Sequence, residues 1–182
     1  CKNKGAEVFA KIGSAKKEDI VKSLGADYVI DYNKSDYEQQ IAGILGQNRL
    51  DVSFNPIAGD TFKKDFNLLG SAGRLFLFGG AQMSSGKWGV FSMLNFILKM
   101  GRPLPIGYMM RSKSVLGVNM LKIADNKPQV LANCLKEVFD LYRAGKIKPQ
   151  SGGVYSVAKF DDAFSTLASG KSTGKIVVKW ED

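Results

Sequence analysis

The first half of the chain repeats one pattern three times: a segment with helical periodicity ends in Leu-Gly, and a short run rich in Val, Ile, Phe and Tyr follows. The joints are Leu24–Gly25, Leu45–Gly46 and Leu69–Gly70. Gly after a last helical residue supplies the left-handed conformation that ends a helix, and β-branched and aromatic runs suit buried strands. Strict alternation of this kind predicts an α/β fold with a parallel sheet covered by helices on both faces.

The alternation predicts the bounds of the individual elements. The predicted strands are Glu7–Ile12, Tyr28–Asp31, Asp51–Asn55 and Leu75–Phe78, and the predicted helices between them are Lys16–Leu24, Asp36–Leu45 and Thr61–Leu69. After Gly79–Gly80 the pattern changes to a Gly/Ser-rich loop, an apolar helix within Val90–Met100 and a loop that holds Pro103 and Pro105. Further on, we expect a strand Ser114–Asn119, a helix Val130–Arg143 closed by Gly145, a strand near Val154–Tyr155, a helix Phe160–Ala168 and a strand Lys175–Trp180.

Composition excludes several classes of function. The net charge of +9 is spread in ones and twos, whereas nucleic-acid binding favours a concentrated basic stripe, so we expect no nucleic-acid partner. The apolar helix is about half the length of a membrane span, so we expect none. The 182 residues include no His and two Cys, Cys1 and Cys134, which excludes a Cys/His zinc site and a Ser-His-Asp triad. We therefore expect no metal and a reducing, cytoplasmic setting.

An ordered set of segments carries a family resemblance. The segments are GAEVFAKIGSAKKEDIVKSLGADYVIDY, DVSFNPIAGDTF, GRLFLFGG, AGKIKP and FDDAFSTLASGKSTGKIVV. Together they resemble the zinc-independent quinone oxidoreductase branch of the medium-chain dehydrogenase/reductases, and within it the quinone oxidoreductases and the vesicle amine transport protein group. The resemblance implies a Rossmann-type doubly wound parallel sheet in residues 1–146. Residues 147–182 would be the C-terminal segment that returns to a GroES-like catalytic domain.

The same resemblance implies parts that this sequence does not contain. In that family, a GroES-like domain, a strand and a glycine-rich turn precede the strand that here begins at Glu7. We therefore expect a C-terminal fragment whose sheet lacks its first, central strand and its phosphate-binding turn. Such a chain would bind NADPH weakly or not at all and be inactive by itself, because the helix N-terminus that holds the pyrophosphate is missing.

The end of the first predicted strand carries the signal for cofactor choice. Asp or Glu at this position would favour NAD, but the sequence has Gly13 and Ser14 followed by Lys16 and Lys17, which suit the 2′-phosphate of NADP. The resemblance implies backbone approach at Gly13, a hydrogen bond from Ser14, a charge contact from Lys17 and a contact from Tyr32. The alternative is that the lysines are solvated residues of a first helical turn and that Tyr32 closes a strand.

Three later segments would face the nicotinamide half of the cofactor. Asn55 follows one strand, and Phe78 and Gly79 follow the next. The resemblance places Phe78 and Gly79 beside the nicotinamide, and it places Leu116 and Val118 on a strand whose backbone supports the carboxamide. The family usually has Asp where Asn55 stands. The alternative for these residues is ordinary loop chemistry, since Gly and Asn are common turn residues.

The implied reaction is NADPH-dependent hydride transfer to a quinone or an activated double bond (an enone). Aromatic and apolar residues could line the substrate pocket or belong to the core: Trp88, Phe91, Leu94 and Phe96. No residue stands out as a general acid or base, so catalytic residues stay unassigned. The edge near Val115–Met120 would pair two copies into a homodimer, and proline at Val118 would block that pairing. The alternative function is a non-catalytic remnant or interaction module of the same fold.

Overall fold

A computed structural model of the chain describes residues 1–79, 98–99, 105–170 and 172–180. They fall into two compact units, Cys1–Leu131 and Ala132–Asp182, which we describe separately. Of the predicted apolar helix Val90–Met100, only residues 98–99 are described, and both are helical. The remaining predictions for that region lie outside the described residues, namely those for Gly80, Trp88, Phe91, Leu94, Phe96 and Pro103.

The first unit alternates strands and helices. Its elements are β1 (Phe9–Ile12), α1 (Glu18–Ser23), β2 (Tyr28–Asp31), α2 (Tyr37–Leu45), β3 (Leu50–Asn55), α3 (Asp60–Leu68), β4 (Leu69–Leu77), α4 (Pro105–Arg111), β5 (Ser114–Gly117), α5 (Met120–Asn126) and the beginning of α6 (Pro128–Arg143). All its paired strands are parallel. The predicted α/β fold with parallel strands and intervening helices is therefore confirmed.

The strands of this unit form two sheets instead of one. β1 pairs with β2, and a second sheet has the order β3-β4-β5. Among the described residues, no strand pairs with the second edge of β1 or of β3. This arrangement matches a doubly wound sheet that lacks its central first strand, because in such a sheet that strand lies between these two edges.

Helices α2 and α3 hold the two sheets together through two apolar clusters. One buried cluster joins β2, α2 and α3, and the other joins α3 and β4; they comprise Ile30, Tyr37, Ile41 and Leu68, and Phe62, Phe66, Leu69 and Leu75. Leu50 of β3 packs against both. Removing these side chains from water is the main favourable contribution that orients α3 against the strands.

The second unit contains one parallel strand pair. The later part of α6 ends at Arg143 and is closed by Gly145, whose φ of 65° is left-handed, as predicted. β6 (Ser151–Ser156) pairs with β7 (Lys175–Lys179), and α7 (Phe160–Ala168) connects them. Tyr155 Oη and Thr166 Oγ1 lie 3.1 Å apart and fix α7 against β6. In neither unit do the described residues form a helix long and apolar enough to cross a membrane.

Several predicted bounds differ from the structure, among them the strand predicted as Ser114–Asn119, which ends at Gly117, and two further differences have a clear physical reason. Gly70 does not end a helix, because α3 stops at Leu68 and β4 begins at once with Leu69, which is 1% exposed and pairs with Leu50. The left-handed residue in this region is Ala72, with a φ of 62°. Pro105 does not lie in a loop but starts α4, since proline is well suited to a first helical position, where no N–H is needed.

Candidate functional site

One group of predicted residues meets where β1 and β2 end. The backbone N–H of Tyr32 donates to the Ile12 carbonyl at 3.2 Å, which aligns the two strand ends. The Asn33 Nδ2 donates to the Gly13 carbonyl at 2.7 Å. A Cβ built at Gly13 would lie 2.2 Å from Tyr32 Oη, so the tyrosine occupies the space that a side chain would take. The structure thus brings Gly13, Ser14 and Tyr32 together and adds Asn33, which the sequence analysis did not single out.

The turn after Gly13 carries positive charge. Ala15–Lys17 forms a 3-10 turn, and the N–H of Lys17 donates to the Ser14 carbonyl at 3.0 Å. Glu18 is the first acidic residue after this turn, and its carboxylate accepts from Lys22 Nζ at 2.7 Å. That hydrogen bond lowers the pKa of Glu18, so its charge is shared with Lys22. The turn therefore presents a hydroxyl and cations, as an anionic phosphate group requires.

A second group meets at the carboxyl ends of β3, β4 and β5. The N–H of Phe78 donates to the Asn55 carbonyl at 3.3 Å, and the N–H of Val118 donates to the Leu77 carbonyl at 2.7 Å. A Cβ at Gly79 would lie 2.3 Å from the Pro56 carbonyl oxygen, a backbone atom. The structure therefore brings Asn55, Phe78, Gly79 and Val118 to one edge of the sheet.

Leu116 lies within β5, two residues before Val118. It pairs in register with Phe76 of β4, two residues before Phe78. Its side chain is 37% exposed. The structure thus places Leu116 on the strand that leads to this edge and Val118 just past the strand's end.

The turn between β3 and α3 is built around one amide side chain. Asn55 is fully buried, and its Oδ1 accepts from the N–H groups of Ile57 at 2.9 Å and Ala58 at 2.8 Å. Ala58 and Gly59 both have positive φ, 57° and 52°. An alanine pays a steric cost in that conformation, so the two hydrogen bonds to Asn55 hold the turn in a shape that the backbone does not prefer.

Behind Asn55 lies a buried carboxylate. Asp65 of α3 is 2% exposed and has four donors within hydrogen-bond distance. Its Oδ1 accepts from Lys11 Nζ at 3.2 Å and from Tyr37 Oη at 2.8 Å. Its Oδ2 accepts from Ser53 Oγ at 3.1 Å and from Asn55 Nδ2 at 2.7 Å. Burial, followed by the neighbouring carboxylate, raises the pKa of Tyr37, which keeps its hydroxyl protonated as a donor.

The sequence analysis missed Asp65, although the sequence contains a signal. Asp65 stands between Phe62 and Phe66 on the buried side of α3, where an acidic residue is expected only with partners. The partners come from β1, α2 and β3, and no local pattern links those segments to α3. The site therefore includes a polar network that only the fold assembles.

A sequence profile of zinc-binding dehydrogenases matches residues 24–178, which is most of the chain. The chain belongs to the zinc-binding dehydrogenase family. The resemblance stated from the sequence segments is therefore confirmed at the level of the family.

Individual relatives agree with this assignment. The synaptic vesicle membrane protein VAT-1 homolog of Danio rerio is 27% identical to this chain over 182 residues, which cover 100% of the chain and 37% of that protein. A crystal structure of a Pseudomonas syringae quinone oxidoreductase is 24% identical with a TM-score of 0.72, and the match covers 96% of this chain and 49% of that one. CurA of Vibrio vulnificus, solved in complex with NADPH, is 23% identical with a TM-score of 0.71, covering 100% and 51%.

These two structures show the fold alone, a Rossmann-type parallel α/β architecture. The chain spans between about a third and a half of the length of the three proteins named above. The predicted fold class is confirmed, and so is the expectation that the sequence corresponds to a part of longer relatives. The activity of a whole zinc-binding dehydrogenase is therefore a matter for proposal.

The family description implies zinc, but this chain does not offer the side chains that usually bind zinc. The sequence contains no histidine, and both cysteines are free and exposed. Within the described ranges, no three Cys, Asp or Glu residues are grouped so that they could hold a metal ion. A dinucleotide fits better, because the Gly13 and Gly79 segments both present closely packed backbone at strand ends.

Proposed function

We propose that this zinc-binding dehydrogenase chain is the nucleotide-binding part of an NADPH-dependent oxidoreductase that reduces quinones or activated double bonds. Bound NADPH would supply the hydride. The observation that carries the proposal is the meeting of Asn55, Phe78, Gly79 and Val118 at the carboxyl edge of the β3-β4-β5 sheet. Ligands of open α/β sheets bind outside this edge. The relatives named above include a quinone oxidoreductase and a protein solved with NADPH.

The residues of the second group would act by positioning. Gly79 allows β4 to end in contact with the Pro56 carbonyl, which leaves a surface of backbone and small side chains for the nicotinamide ribose. Phe78 is 47% exposed and offers a flat apolar face beside it. The backbone of Leu116 and Val118 would support the carboxamide. Holding the two reactants in a fixed geometry is a sufficient role for a protein when the cofactor carries the chemistry.

The first group would select NADPH over NADH. Gly13 and Tyr32 shape the turn, Ser14 offers a hydroxyl, and Lys17 offers an ammonium group near the 2′-phosphate. A carboxylate in this turn would instead accept from the free ribose hydroxyls of NAD. Residues 13–17 contain none.

The proposal extends to the organisation of the complete protein. Residues 1–146 would form the nucleotide-binding domain, and residues 147–182 would rejoin a catalytic domain. The apolar edge at Val115–Met120 would join two copies, and the free cysteines favour a reducing, cytoplasmic location.

Cofactor choice can be tested on the chain itself with two small probes. Adenosine 2′,5′-bisphosphate and AMP differ by the 2′-phosphate, and amide shifts in NMR titrations report even weak binding. We expect the bisphosphate to bind more tightly and to shift the amides of Gly13, Ser14 and Lys17. Lys17→Ala should cost the bisphosphate roughly 1.5–3 kcal/mol, about one to two decades in affinity, and leave AMP nearly unchanged.

Lys63→Ala is the matched control, because it removes the same charge from an exposed position of α3. Equal losses for both probes in the Lys17 variant would mean that Lys17 acts through stability and not through recognition. The enzymatic half of the proposal is tested by quinone-dependent oxidation of NADPH in a protein that contains this chain. Tight binding of NADPH without turnover of any quinone or enone would favour a non-catalytic role.

A further inference from the structure

The Asn55 side chain can stand in its site in two orientations, and its neighbours decide between them. An amide has an acceptor oxygen at one end and a donor nitrogen at the other. The turn side of the site contains two backbone N–H groups, of Ile57 and Ala58, which need an acceptor. The opposite side contains the Asp65 carboxylate, which is 2.7 Å from Asn55 Nδ2. An ionised carboxylate only accepts, so the nitrogen must face Asp65 and the oxygen must face the turn.

We propose that Asp65 is a positioning residue: it fixes the orientation of the Asn55 amide and thereby holds the turn 55–59 that lines the proposed NADPH site. The effect on NADPH rests on the proposed function, whereas the effect on the turn does not. Asp65 itself touches neither Ile57 nor Ala58 through any hydrogen bond of the structure. It acts on their N–H groups through the side chain of Asn55, which is fully buried. Thr61 Oγ1 lies 2.8 Å from Asn55 Nδ2 and 3.1 Å from Asn55 Oδ1, and because a hydroxyl can donate or accept it does not choose between the two amide orientations.

The other carboxylate oxygen keeps Asp65 in place. Lys11 Nζ and Tyr37 Oη both donate to Oδ1, and Lys11 Nζ also lies 4.1 Å from the centre of the Tyr37 ring. A buried carboxylate without such partners would be strongly unfavourable. These donors come from β1 and α2, whereas Asn55, the amide that Asp65 orients, lies at the end of β3 in the other sheet.

Positions 55 and 65 therefore require different chemical groups, a neutral amide and a carboxylate. An aspartate at position 55 could accept from both turn amides without any helper, since both of its oxygens are acceptors. In this chain, however, an Asp at position 55 would lie at hydrogen-bond distance from Asp65. Two buried carboxylates at so short a distance repel each other. The negative charge near this strand end is therefore carried by α3, and the neutral amide at position 55 is the matching choice.

The reciprocal exchange of the two residues is the test. In Asp65→Asn, the new amide can turn its oxygen toward Lys11 and Tyr37, so its nitrogen faces Asn55. Asn55 must then reverse, and its nitrogen opposes the two turn amides. In the double variant Asn55→Asp/Asp65→Asn, the nitrogen of residue 65 faces a carboxylate that accepts from both amides. The double variant therefore re-forms the hydrogen bond between positions 55 and 65 with its direction reversed and keeps an acceptor for both turn amides. The hydroxyls of Ser53 and Thr61 can donate or accept, so they can adapt to the exchanged groups.

We expect hydrogen exchange at Ile57 and Ala58 to become about tenfold faster in Asp65→Asn, while exchange at the core residue Leu75 changes little. Asn55→Asp should lower the denaturation midpoint. The double variant should return both quantities toward the wild-type values. Asn67→Asp is the matched control, because Asn67 Nδ2 also donates to a carboxylate, that of Glu38 at 3.1 Å, but at an exposed position where water weakens the repulsion.

The outcomes separate this inference from the proposed function. Unchanged exchange at Ile57 and Ala58 in Asp65→Asn, or a double variant no better than either single variant, would overturn the positioning role. Uniformly faster exchange that includes Leu75 would assign Asp65 to general stability and also overturn it. Equal binding of adenosine 2′,5′-bisphosphate and AMP by the wild-type chain would count against the proposed cofactor site only, since the exchange measurements need no ligand.

Discussion

At the scale of single residues, two glycines serve the candidate site for different reasons. Gly13 faces a side chain, the hydroxyl end of Tyr32, which can move because the tyrosine is 52% exposed. Gly79 faces the backbone of Pro56, which is fixed by the turn between β3 and α3. A larger residue is therefore expected to be tolerated better at position 13 than at position 79.

Gly79→Ala should destabilise the chain by about 1–3 kcal/mol, because the added Cβ would lie 2.3 Å from the Pro56 carbonyl oxygen and the backbone must shift. Urea denaturation measures the change. Gly43→Ala is the control: this glycine lies within α2 with no atom near its Cβ position, so alanine should stabilise the helix by about 0.5–1 kcal/mol. Equal effects at the two positions would show that the contact with Pro56 is not tight.

At the scale of elements, periodicity predicted the strands and helices because the spacing of apolar residues along each segment reflects which of its faces is buried. β2 and α7 begin and end at the predicted residues, and Gly25 and Gly46 have positive φ as expected of helix ends. The prediction that Gly70 ends a helix was wrong because of tertiary packing: Leu69 is buried in the core as the first residue of β4. The turn at Asn55 was predicted as a site, but its support was not, because the donors to Asp65 are distant in sequence.

Helix α2 depends on an ionised residue at its start. Asp36 caps the helix by accepting from the Glu38 N–H, and its carboxylate also pairs with Lys64 of α3. The hydrogen bond from Lys64 lowers the pKa of Asp36. A carboxyl group whose pKa is lower in the folded state stabilises that state above its unfolded pKa, and the contribution is lost as pH falls through the folded value.

Asp36→Asn should therefore destabilise the chain near neutral pH, although asparagine is an equally good cap, because the charge is lost. The difference from the wild type should shrink as the pH falls below the ordinary pKa of an aspartate, and it should vanish once the pH is below the lowered pKa of Asp36 in the folded state. Denaturation midpoints of both proteins across this range measure the difference. High salt at neutral pH should reduce it as well, and a difference independent of pH would contradict the ionic role.

At the scale of the whole molecule, the proposed pairing of two copies depends on the edge strand β5. The N–H of Val118 already donates to Leu77 within the chain. Proline at Val118 would therefore break the pairing of β4 with β5 instead of blocking a partner, and the variant considered from the sequence alone is the wrong one. Alternate residues of a strand direct their N–H groups to opposite sides, so Gly117 faces the outer edge.

If two copies pair through this edge, Gly117→Pro should convert a dimer into a monomer, because it removes a donor from the outer side. Gly117 has no neighbouring atom within 4 Å of its Cβ position, so the ring has room. Light scattering measures the mass of both proteins. A dimer that persists in the variant, or a wild type that is monomeric at high concentration, would rule out this interface.

The seam between the two sheets of the first unit, where β1 and β3 lie without a strand between them among the described residues, determines what holds the sheets together. Across the seam, the described residues are joined by side chains, including Lys11 with Asp65 and Lys64 with Asp36, and not by a backbone ladder. A ladder resists shear because its bonds load together, whereas separate side-chain contacts yield one after another. Within the described residues, relative movement of the two sheets is therefore opposed by these ion pairs and by the packing of α2 and α3.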